Sequence, residues 1–107
     1  MVKLSECEEQ VMVTVWSSKE APSSKEVQAD VNKRFGNEWK AQTVSTFLYR
    51  LVEKGYLRSE RKGRGAYYYP KITLQQYREE RMKELRDLLY SGELEAAKSD
   101  LERTSNN

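Results

Sequence analysis

Two clusters of side chains in the middle of the chain have the chemistry to recognise a phosphate polymer. Lys40, Gln42, Thr43, Ser45, Thr46, Tyr49 and Arg50 fall in one stretch, and Arg61, Lys62 and Arg64 follow in another. A glutamine amide can pair with adenine, and a threonine can donate to a phosphate or meet a thymine methyl. Lysine and arginine neutralise phosphates and release their counterions. Residues 41–75 carry seven Lys/Arg against two Asp/Glu, a local net charge of +5 in a chain whose total is only +2. A basic patch on a nearly neutral body suits phosphate binding.

Other chemistries are poorly provided for. The chain has no histidine and one cysteine, Cys7. It therefore lacks the commonest general base, the commonest metal ligand and any intramolecular disulfide. No glycine-rich phosphate loop is present, and no catalytic set can be assembled, so an enzyme is not expected, nor is a cofactor or metal. No apolar run is long enough for a membrane helix, and no signal-peptide pattern opens the chain, which points to a soluble, cytoplasmic protein without a membrane partner. Cys7 shares a stripe with Val11 and Val15, so it is expected to be a small buried hydrophobe.

The elements that must position the two clusters follow from periodicity. Ser5-x-x-Glu8 is a capping box opening a first helix, whose face is Cys7, Val11, Met12, Val15 and Trp16. A second box, Ser23-x-x-Glu26, opens a helix with Val27, Val31 and Phe35 inward and Gly36 as its stop. Asn37-Glu38-Trp39 turns into a third helix with the stripe Val44, Phe47, Leu48, Leu51 and Val52. At about 100° per residue the opposite face carries Gln42, Thr46, Tyr49 and Glu53, flanked by Thr43, Ser45 and Arg50. Such a face, rich in short hydrogen-bonding groups, suits a major groove. Tyr56–Arg61 and Ala66–Tyr69 read as a hairpin around Lys62-Gly63-Arg64-Gly65. Its basic tip, with Arg58 nearby, would sit on phosphates and fix register. Tyr67, Tyr68 and Tyr69 alternate across the strand and are expected to pack, one or two of them against the third helix or the C-terminal arm.

The fold class implied is mostly α with a small β-hairpin wing: a winged helix-turn-helix domain over residues 1–71, followed by C-terminal dimerisation helices over 72–107. The arm reads as a long helix from about Thr73 to Tyr90, then a short tail helix carrying Leu94, Ala97 and Leu101. Leu74, Tyr77, Leu85, Leu88, Leu89 and Leu94 are the expected dimer contacts, because helix-turn-helix proteins read twofold-related half-sites as dimers. The expected partners are double-stranded DNA and a second copy of the chain, with an inducer or regulatory protein left unidentified. A different reading makes the third helix a protein-interaction surface that does not read DNA sequence.

Leu4-Ser5-x-x-Glu8-x-x-Val11-Met12-x-x-Val15-Trp16 resembles the opening of the penicillinase-repressor family, which includes the BlaI, MecI and CopY types. The stretch Trp39-x-x-x-Thr43-Val44-x-Thr46-Phe47-Leu48-x-Arg50-Leu51-x-x-Lys54-Gly55-Tyr56-Leu57 is similar to that family's recognition helix and the start of its wing, as is Tyr68-Tyr69-Pro70 to the wing's end. The resemblance spans roughly residues 4–90. It implies a bacterial transcriptional repressor that binds an inverted-repeat operator as a homodimer through its C-terminal helices, with groove contacts from Gln42, Thr43, Ser45 and Thr46. This chain has Lys40-Ala41 where the family often has Ser-Pro, and Gln42 and Ser45 where basic residues are common. A different operator is implied. No cysteine follows Cys7 and no Asn-Phe bond occurs, so neither copper sensing through a C-terminal cysteine cluster nor release by cleavage at that bond is expected.

Overall fold

Two serine caps start the fold as their spacing requires. In the computed structural model, which describes residues 1–91, the Ser5 hydroxyl accepts from the Glu8 backbone N–H, and the Glu8 carboxylate accepts from the Ser5 N–H. Ser23 and Glu26 repeat this reciprocal arrangement. These boxes open α1 (Glu6–Trp16) and α2 (Ser24–Phe35), and α3 (Ala41–Glu53) follows. Gly36, at φ +68°, ends α2 in the left-handed conformation, and its N–H donates to the Asn32 carbonyl. A side chain there is disfavoured by the backbone alone.

Each helix contributes its apolar stripe to one core: Val11, Met12 and Val15 from α1, Val27 and Val31 from α2, and Val44, Leu48 and Leu51 from α3. Leu4, Tyr56 and Leu57 complete it. Thr14, also buried, donates its hydroxyl to the Gln10 carbonyl one turn back, so no donor is stranded.

The strands β1 (Leu57–Lys62) and β2 (Gly65–Pro70) pair antiparallel, with Leu57 opposite Pro70 and Lys62 opposite Gly65. The loop is thus Gly63-Arg64, and Gly63 takes φ +64°, the position where a type II′ turn needs glycine. β1 runs against α3, whereas β2 packs on α1 and α2. The outer edge of β2 is covered by the α1–α2 connection: Ser23 bridges Tyr67, and the Tyr68 N–H donates to the Pro22 carbonyl at 3.0 Å. The hairpin base is closed by Lys71 N–H to the Tyr56 carbonyl and by the Trp16 indole N–H to the Ile72 carbonyl, both at 2.8 Å. Three helices and a basic ribbon in this order form a winged helix-turn-helix.

The chain divides into two compact units, Met1–Leu74 and one beginning at Gln75. The second contains most of α4 (Leu74–Ser91), whose exposed surface carries Gln75 bonded to Glu79 and Arg81 paired with Glu84. No helix among the described residues is long and apolar enough to cross a membrane.

Three expectations change. Cys7 is half-buried rather than part of the closed core, because α1 turns that side toward the surface. Phe35 is 38% exposed, since α2 ends there and the core does not extend beneath its last turn. Of the two supports expected for the tyrosines, the third helix gives way to α1 and α2, on which their strand packs, because it is β1 that runs beside α3. The tail helix expected around Leu94, Ala97 and Leu101 lies outside the described residues.

Candidate nucleic-acid interface

Burying Val44, Leu48 and Leu51 fixes what α3 shows to solvent. Gln42, Thr43, Ser45, Tyr49 and Arg50 are exposed, Tyr49 by 66%. Thr46 is half-buried, and its hydroxyl donates to the Gln42 carbonyl at 3.0 Å, leaving its methyl and its acceptor lone pairs for a partner. Arg50 lies 5.9 Å from the centre of the Phe47 ring, which restrains its stem. Lys40, exposed, precedes the first turn and no side chain caps it. The first-turn amides of α3 are therefore open to an acceptor from outside, with the positive end of the helix dipole behind them.

The ribbon sorts its cations into two groups. The side chains of Arg61 and Arg64 are exposed and hold no hydrogen bond, ion pair or ring contact among the described residues. Lys62 is different. Its ammonium donates to the Tyr69 hydroxyl at 2.7 Å and lies 5.4 Å from that ring, and the hydroxyl holds the lysine pKa above its ordinary value. Arg58 stacks 4.1 Å from the centre of the same Tyr69 ring and pairs with Glu60 at 3.0 Å. Register accounts for this: Arg58, Glu60 and Lys62 share a face with Tyr67 and Tyr69, while Arg61 points to the other. The sequence pattern presents the basic tip as one unit and does not show that Tyr69 orients two of its members. The i, i+2 spacing of tyrosines opposite basic residues is the signal that reveals it.

One ion pair ties α3 to the body. Lys54, just past its C-terminus, donates to Glu8 at 2.7 Å and to the Lys3 carbonyl at 3.2 Å. Burial pushes the Glu8 carboxyl up, but the Lys54 ammonium and the backbone and hydroxyl of Ser5 outweigh it and hold the pKa below the usual glutamate value.

A profile of the penicillinase repressor family matches residues 4–105. The chain belongs to the penicillinase repressor family. It is 29% identical over 92 residues to the penicillinase repressor of Bacillus licheniformis, spanning 86% of this chain and 70% of that one. The solution structure of the Bacillus licheniformis BlaI monomeric form in complex with the blaP half-operator is similar, with a TM-score of 0.58 and 30% identity over 71% of this chain and 89% of that one. The DNA-binding domain of the repressor BlaI gives a TM-score of 0.60 at 31% identity, covering 70% and 88%. PerR from Streptococcus pyogenes, at 22% identity and a TM-score of 0.56 over 64% of this chain and 48% of that one, shares the fold.

Within this family member, the residues expected to meet a second copy are placed unevenly along α4. Leu85, Leu88 and Leu89 are exposed, Leu88 by 71%, whereas Leu74 is half-buried and Tyr77 is only 8% exposed within the single chain. Leu94 lies outside the described residues. Met82, not among the residues expected from the sequence, is exposed at helical spacing from Leu85 and Leu89.

Proposed function

We propose that this chain, a DNA-binding transcriptional repressor, acts in the cytoplasm as a homodimer on an inverted-repeat operator. Helix α3 enters the major groove with Gln42, Thr43, Ser45, Thr46 and Tyr49 toward base edges. Lys40, the open first-turn amides, Arg50, Arg61, Lys62 and Arg64 hold the phosphates. The observation that carries this reading is the division of α3: Val44, Leu48 and Leu51 are fully buried while Gln42, Thr43, Ser45 and Tyr49 are exposed, and the wing that follows carries two uncommitted arginines. The operator complex of the related BlaI supports it. Dimerisation through residues 72–107 is supported by Met82, Leu85, Leu88 and Leu89, which present apolar surface on α4.

Selection of bound duplexes from a random pool tests the proposal. The expected result is an inverted repeat whose half-site centres lie about 10–10.5 base pairs apart or a multiple of that. Recovery of no enriched sequence would overturn it.

A further inference from the structure

The start of α3 is held by a device unlike the one used for α1 and α2. Those helices have serine caps that each occupy one first-turn amide, that of Glu8 or Glu26, and α3 has none. A helix start without a side-chain cap frays unless the chain leading into it is fixed. Here the fixed point is Trp39, the residue before the N-cap Lys40, which belongs to no helix or strand and yet has both backbone groups bonded. Its N–H donates to Asn32 Oδ1 at 3.0 Å, and its carbonyl accepts from Asn32 Nδ2 at 3.0 Å and from Gln28 Nε2 at 3.1 Å.

One amide side chain thus grips one residue at two points, fixing its orientation as well as its position, much as a bridge between strands does. Gln28 and Asn32 lie one turn apart on α2, so the grip comes from a helix with Val27 and Val31 anchored in the core. On its far side the Trp39 ring lies 5.1 Å from Phe47 of α3, tilted by 45°. The turn is tied down further by Asn37, which donates its N–H to the Asn32 carbonyl at 3.1 Å and its side-chain amide to Gln10 of α1 at 2.8 Å.

We propose that Asn32, supported by Gln28, is a positioning residue for DNA reading: acting through Trp39, it sets the register of the first turn of α3 and hence the placement of Gln42 and Thr43. The inference rests on the operator-reading function proposed above. Holding the helix start through Trp39, ahead of the N-cap Lys40, leaves every first-turn amide free, whereas a serine or aspartate cap would occupy one of them. Base contacts demand placement within about half an ångström, whereas phosphate contacts tolerate more. Loosening the grip should therefore lower selectivity and leave general DNA affinity alone.

The test compares the full-length wild type with Asn32→Ala, Asn32→Asp and Gln28→Ala. Asn32→Asp keeps the acceptor for the Trp39 N–H but sets a carboxylate against the Trp39 carbonyl, and Gln28→Ala, which removes one of the three side-chain bonds to Trp39, is the milder change should Asn32→Ala fold poorly. Each is measured on the selected duplex and on a scrambled duplex at one salt concentration, together with hydrogen exchange of the Trp39 amide. Asn32→Ala is expected to speed that exchange and to weaken selected-duplex binding about tenfold, the scale of one or two net hydrogen bonds, with scrambled-duplex binding unchanged. Asn32→Asp should shift selectivity in the same direction, and Gln28→Ala in that direction by less. Faster Trp39 exchange with an unchanged ratio of the two affinities, or an equal fall in both, overturns the positioning role alone. A wild type that does not distinguish the duplexes overturns the operator-reading function and this role with it.

Discussion

Replacing Lys54 by methionine should cost the domain far more stability than the loss of an ordinary surface charge. Glu8 is 2% exposed and Lys54 28%, and the ammonium is the one cation bonded to that carboxylate among the described residues. The other carboxylate oxygen, Oε2, has no hydrogen-bond partner. Removing one member of a buried pair typically destabilises by about 3–5 kcal/mol, because the remaining charge is left in a poor solvent. Lys54 is partly solvated, and the Ser5 N–H and hydroxyl stay with Glu8, so about 2–3 kcal/mol is the reasonable expectation here. In a domain of this size that lowers the melting temperature by about 10–20 °C, measurable by calorimetry on the full chain.

The pH dependence gives a second handle on the same pair. In the wild type the folded-state pKa of Glu8 lies below its ordinary 4.5, so the pair stabilises fully above that value and weakens as pH falls through the lowered one. In Lys54→Met burial acts with less opposition, so the carboxyl titrates higher than it does in the wild type. The gap between the two proteins should therefore narrow as the pH drops from about 7 toward 4. Converting both residues to apolar ones, Glu8→Leu with Lys54→Met, should recover part of the loss, the remainder being the capping bond that Glu8 accepts from the Ser5 N–H. A single variant within about 0.5 kcal/mol of wild type at neutral pH, or a gap that ignores pH, would refute the buried-pair account.

Four further outcomes follow from the interface and the helix stops. Arg61→Ala with Arg64→Ala should weaken binding to all duplexes alike and flatten the dependence of log affinity on log salt by about 0.9 for each phosphate that is no longer neutralised; filter binding across a salt series measures this, and an unchanged slope assigns the phosphates elsewhere. Gln42→Ala, and separately Thr46→Ala, should change which sequences a repeated duplex selection returns, whereas unaltered preference would remove them from base reading. Leu85→Asp with Leu88→Asp should yield a monomer by sedimentation, and a persistent dimer would put the interface elsewhere. Gly36→Ala should cost about 1–2 kcal/mol in urea unfolding through its backbone alone, since no atom lies within 4 Å of the added carbon.

What the sequence by itself determined is local in origin. The caps at Ser5 and Ser23, the stripes of the first three helices, the stop at Gly36 and the glycine-led turn of the ribbon depend on residues within four positions of each other. A helix or a two-residue loop has a fixed geometry at that range, so side-chain spacing is enough to read them and to find the polar face of α3 opposite its stripe. Tertiary structure alone decided which partners meet across long separations. Glu8 finds Lys54, Trp16 finds Ile72, and Gln28 and Asn32 grip Trp39 across a turn. It also decided that Tyr69 restrains Lys62 and Arg58 while Arg61 and Arg64 stay uncommitted. The reason is that a polar side chain accepts many partners of similar energy, and only the packing of the apolar stripes chooses which of them comes within hydrogen-bonding distance.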